Sequence, residues 1–112
     1  MNIDWMKTFG AAITVCDREG KIHEMNDRSI QNFVKDGGAD LIGRNVLDCH
    51  PEPARTKLAE MMREGRINVY TTEKRGQKKL VYQAPWEDET GGQGFVEIII
   101  DLPADMPHFV RE

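Results

Sequence analysis

Apolar residues change their spacing along the chain, and the changes mark out the elements. In "NIDWMKTF", Ile3, Met6 and Phe9 recur at every third position, which predicts a short amphipathic helix with Asp4 near its start and Gly10 as its stop. "AAITVCD" is rich in β-branched residues and reads as a strand. The polar turn "DREG" and a second short strand, "KIHEM", complete an opening hairpin. Asn26 or Asp27 then caps a helical turn in which Ile30, Phe33 and Val34 fall at helical spacing. The glycine-bounded stretch "KDGGADLIG" allows one more turn around Leu41 and Ile42.

From Glu52 to Glu64 the positions Ala54, Leu58, Met61 and Met62 predict the longest helix, with Gly65 at its C-terminal cap. After it the period shortens to two. "INVYTTEK", "KKLVYQAPW" and "GFVEIIIDL" read as three strands joined by turns in a meander. Pro85 has no N–H to donate and belongs at a strand end or on an edge. The run "IIID", with Val96 and Leu102, is apolar on both faces and predicts a central strand covered on each side.

A chain of 112 residues suits one compact domain. We expect a helical cap over residues 1–10, the domain over 11–102 and a tail over 103–112. Met1 and the short tail favour a complete chain without an output domain. A net charge of -4 speaks against general binding to a phosphate backbone, so no nucleic-acid partner is expected. No apolar run reaches the roughly 20 residues of a membrane span, and the N-terminus lacks a signal peptide. The expected setting is cytoplasmic, with Cys16 and Cys49 as free thiols.

The order of elements from Ala11 to Leu102 resembles the PAS domain family. "EMND" is similar to the family's strand-to-Asn turn, "DLIGRNVLD" to its Leu-Ile-Gly segment, and "HPEPARTKLAEMMREG" to the His-Pro-Glu start of its long helix. The resemblance implies an α+β fold: a five-stranded antiparallel sheet with helices packed on one face and a small-molecule pocket between them. The apolar members of the pocket-forming elements are Ile13, Val15, Ile30, Phe33, Leu41, Leu58, Val81, Phe95 and Ile98. The implied role is that of a sensor in signal transduction, binding a small molecule or a protein partner without catalysis of its own. Flavin-binding members carry Asn-Cys-Arg-Phe where this chain has Asn45 followed by Val46, so a flavin–thiol adduct is not expected. In related proteins an N-terminal helix packs against a second copy, which makes Ile3, Trp5, Met6 and Phe9 candidates for the contact of a homodimer.

The stretch "LDCHPEPARTK" holds the main candidate chemistry. His50 is a possible axial ligand of haem, the leading alternative cofactor, and Cys49 a possible nucleophile of a small cysteine-dependent enzyme. The same residues also serve as the start of a helix, because Pro51 and Pro53 suit a first turn and Glu52 favours its dipole. Cys16, His23, Cys49, His50 and His108 form no metal-ligand spacing, and no metal is expected. "EKRGQKKL" concentrates Lys74, Arg75, Lys78 and Lys79 at a hairpin tip, either as a solvated turn or as a contact for an acidic partner.

Overall fold

A computed structural model describes residues 3–112; Met1, which the expectation of a complete chain invokes, lies outside the described residues. Five strands, β1 (Ala12–Asp17), β2 (Ile22–Met25), β3 (Asn68–Lys74), β4 (Gln77–Glu87) and β5 (Gln93–Asp101), form one antiparallel sheet in the order β2-β1-β5-β4-β3. The helices α1 (Asp27–Asn32) and α2 (Ala54–Glu64), with three 3₁₀ turns between them, cover one face. This is the α+β arrangement that the PAS resemblance implies. β5 is central, as expected, with both of its edges paired, but the cover expected on each face is incomplete: Ile100 stays 38% exposed.

Local chemistry explains most of the boundaries. Asn26 caps α1, its side chain accepting from Ser29 N. Gly65 ends α2 in the left-handed region at φ 66°, and its N–H reaches back to the last turn. α2 begins at Ala54, not Glu52; the Glu52 carboxylate stays outside the helix and accepts from the Thr56 amide and hydroxyl at 2.9 and 2.7 Å. These bonds hold the Glu52 carboxyl below its ordinary range. Pro85 pairs with Phe95 of β5, but β3 begins opposite Gln83, so the missing N–H falls where β4 has no second neighbour.

The helix expected over residues 3–9 does not form; the segment is extended and then turns, with Phe9 N bonded to Met6 O at 3.2 Å. Bonds from ordered donors pin the end of the segment instead. Asn26 Nδ2 donates to Met6 O and Asp27 N to Lys7 O, both at 3.0 Å. A helix this short is marginal in water, so two tertiary bonds from ordered donors outweigh it. Ile3, Trp5 and Phe9 remain 73%, 59% and 48% exposed, with the two rings edge to face at 5.5 Å, while Met6 is half-buried.

Ile22, Met25 and Leu41 form a compact core under α1, with Ile30, Phe33 and Val46 packed against them. Asn26, 2% exposed, joins this core to the N-terminal segment. Its Oδ1 accepts from Ile13 N and Ser29 N, and its Nδ2 donates to Met6 O and Ala11 O, so every bond the amide can form is made.

Candidate functional site

The antiparallel register fixes which side chains meet the helices. Thr14 lies opposite Glu97 and Cys16 opposite Phe95, while Glu97 in turn faces Gln83 on β4. Side chains alternate across a strand, so these five share the face under α2 and the 3₁₀ turns. Together with Ile22, Met25, Phe33, Leu41, Val46, Leu58 and Met62 they bound a cavity of about 160 Å³. Asp36, Cys49, His50 and Val96 complete its wall. A wider groove between α2 and the end of the β4–β5 hairpin is edged by Arg18, Glu19, Arg63 and Glu87, all exposed, and is a solvent-filled surface feature.

Of the expected pocket residues, Phe33, Leu41, Leu58 and Phe95 line the cavity. Ile13, Val15, Ile30, Val81 and Ile98 do not. Ile13 pairs with Ile98, and alternation turns Ile13, Val15 and Ile98 away from the face bearing Thr14 and Glu97, although Val96, opposite Val15, still reaches the cavity wall. Ile30 packs into the neighbouring core, and Val81 lies one strand step beyond Gln83, opposite Ile99. The side chains that replace them, Thr14, Cys16, Gln83 and Glu97, are more polar than a search for apolar residues finds. Glu97 still leaves a trace in the sequence: it is the one charge inside the apolar run "FVEIII".

The polar side of the cavity is ordered. Asn68 Nδ2 donates to Gln83 Oε1 at 3.1 Å, and Gln83 Nε2 donates to Glu97 Oε2 at 2.7 Å. Burial pushes the Cys16 thiol above its ordinary range, and the charges of Asp17 and Glu97 push it further. Burial raises the Tyr70 phenol as well, again reinforced by Glu97. A thiol shifted upward is a poor nucleophile at neutral pH, so Cys16 serves as a small apolar wall residue.

His50 and Cys49 occupy the mouth. His50 Nδ1 lies 2.7 Å from Val46 O; a carbonyl only accepts, so Nδ1 carries a proton, and in the neutral tautomer Nε2 holds the lone pair. That tautomer suits a metal-binding imidazole. The space does not suit haem: about 160 Å³ falls below the roughly 300–1,000 Å³ of pockets that enclose drug-sized ligands. Cys49 Sγ donates weakly to Asn45 O at 3.7 Å, so thiol and imidazole each bond to backbone and not to one another. The pairing that a cysteine nucleophile needs is not made. Among the described residues no cluster of His, Cys, Asp or Glu has the geometry of a metal site.

His50 is then a positioning residue for the turn before α2. Replacing it with alanine is expected to cost about 1 kcal/mol or less, the range of one local hydrogen bond. Denaturant unfolding would measure it, and the visible spectrum should not change. Loss of a strong absorption band in the variant would restore the haem reading.

A family model described as the PAS fold matches residues 7–104. The chain is similar to a C-terminal domain from Streptococcus mutans, with 25% identity, a TM-score of 0.69, and 86% of this chain and 78% of that one covered. It is also similar to the PAS domain of BvgS from Bordetella pertussis, at 19% identity and a TM-score of 0.64 over 88% and 81% of the two chains. A third similar structure is the Aer2 receptor from Vibrio cholerae, described as a dual PAS-heme oxygen sensor, with 17% identity and a TM-score of 0.59 over 83% and 95%. No curated protein sequence matches the chain.

Proposed function

Because the chain belongs to the PAS family, we propose that it is a sensory module that binds a small molecule in the cavity between β-sheet and α2, without catalysis of its own. The cavity carries this reading. Its walls are mainly apolar with a few ordered polar groups, the usual make-up of a small-molecule site. Relatives described as a receptor and as sensor histidine kinases are in keeping with a signalling role. No helix of the described residues is long and apolar enough to cross a membrane.

Occupancy has an evident element to act on. α2 buries only Met61 fully, and it contributes Leu58 and Met62 to the cavity wall. A helix held by so little apolar contact sits low on the local stability scale, so a ligand touching Leu58 and Met62 favours its docked position. The signal then leaves by contact with a partner. We further propose self-association as a homodimer through the N-terminal segment, where Ile3, Trp5 and Phe9 are exposed in place of the expected helical stripe.

One measurement on purified protein tests both proposals. Native mass spectrometry should show a dimer and a non-covalent small-molecule mass that denaturation removes. A ligand-free chain whose melting temperature no compound in a fragment screen raises would reduce the module to an interaction scaffold. A monomer at high micromolar concentration in equilibrium sedimentation would end the dimer proposal.

A further inference from the structure

We infer that the cavity selects a ligand with a cationic nitrogen, an ammonium or amidinium on a small apolar body, and rejects anions. This rests on the ligand-binding reading above. Glu97 stands on the central strand with its carboxylate at the cavity wall. One oxygen, Oε2, is held by Gln83 Nε2 at 2.7 Å, and Asn68 fixes that amide by donating to its Oε1. The Asn68–Gln83 chain is therefore polarised toward the carboxylate, and the Gln83 carbonyl is already engaged. Among the described residues Glu97 Oε1 accepts no hydrogen bond from the protein, and the carboxylate has no ion-pair partner.

The walls offer no compensation. Among the described residues neither lysine nor arginine lines the cavity, and the second ionisable carboxylate on it, Asp36, has the same sign. His50 is the remaining group able to carry positive charge, and its Nδ1 proton is committed to Val46 O. The field of Glu97 is felt by Cys16 and by Tyr70, both pushed up in part by that charge. A half-buried carboxylate oxygen that takes no donor from the described residues is open to a ligand, and an ammonium group is the donor that gains most from it. A carboxylate or phosphate ligand would instead meet two like charges. Size limits the apolar part: an engineered cavity of roughly 150 Å³ takes benzene, so a single ring fits about 160 Å³ here.

Three probes of one shape separate charge from fit: benzylamine, benzyl alcohol and benzoate, titrated calorimetrically into the whole chain and into Glu97→Gln. On wild type, benzylamine should bind at least about tenfold more tightly than benzyl alcohol, as a charge-assisted bond implies, and benzoate should not bind measurably. Glu97→Gln should bring amine and alcohol to within about twofold of each other. Equal binding of amine and alcohol, or binding of benzoate, overturns the cation preference and leaves the ligand-binding reading intact. Failure of all three probes at millimolar concentration overturns both. The wild-type ranking decides by itself should Glu97→Gln not fold.

Discussion

Asn26→Ala is expected to destabilise the domain by about 3–5 kcal/mol, the cost of breaking a buried hydrogen-bond network. The wild-type amide holds Ile13 N at 2.9 Å, Ser29 N and Met6 O at 3.0 Å and Ala11 O at 2.8 Å. Alanine would leave the Ile13 amide, on a fully buried residue, without its acceptor and strip α1 of its cap. A domain of this size is stable by about 5–15 kcal/mol, so the variant should lose much of its margin, and a denaturant titration would show it. Asn26→Asp separates the contributions. It keeps both accepted bonds but sets a carboxylate against the Met6 and Ala11 carbonyls, so the N-terminal segment should be released while the cap survives. Hydrogen exchange at Asp27 N, which bonds to Lys7 O, reports that release. An Asn26→Ala protein as stable as wild type would remove Asn26 from its place at the junction.

Gly94→Val is expected to disrupt the pairing of β1 with β5, with a loss of at least about 3 kcal/mol or failure to fold. A Cβ at Gly94 would lie 2.0 Å from the Cys16 carbonyl oxygen and 2.7 Å from Trp86 Nε1. The first is backbone and has no room to yield. The second belongs to the hydrogen bond by which the Trp86 indole donates across β5 to Cys16 O at 3.0 Å. Even Gly94→Ala should displace both. Trp86→Phe isolates the hydrogen bond and should cost only about 1 kcal/mol. Thermal melting of the three variants would rank them; a stable Gly94→Val protein would show that β5 does not approach β1 this closely.

Both sites show how unevenly the fold was legible. The change from helical to alternating period placed α2 and the last three strands, because the periods reflect backbone geometry and need no knowledge of neighbours. Gly65 was readable as the end of α2 for the same local reason. Gly94 was not readable as a close-approach glycine, since the group it must admit, the Cys16 carbonyl, is distant in sequence. The N-terminal stripe of Ile3, Met6 and Phe9 was misleading: its spacing is helical, but a helix this short is marginal, and Asn26 and Asp27 pin the segment at Met6 O and Lys7 O.

The cavity divides along the same line. Phe33, Leu41, Leu58 and Phe95 followed from apolar character, whereas Ile13, Val15 and Ile98 were assigned to the wrong side of the sheet. A period of two identifies two faces without saying which is covered; only the pairing of Thr14 with Glu97, and the docking of helices over them, chooses. From β1 onward the chain by itself therefore determined the kinds and order of elements, the central place of β5 and a cap at Asn26 or Asp27, of which the structure uses Asn26. Tertiary structure alone decided the phase of the strands and the meeting of Asn68, Gln83 and Glu97 at the cavity wall, because each depends on groups brought together only by folding.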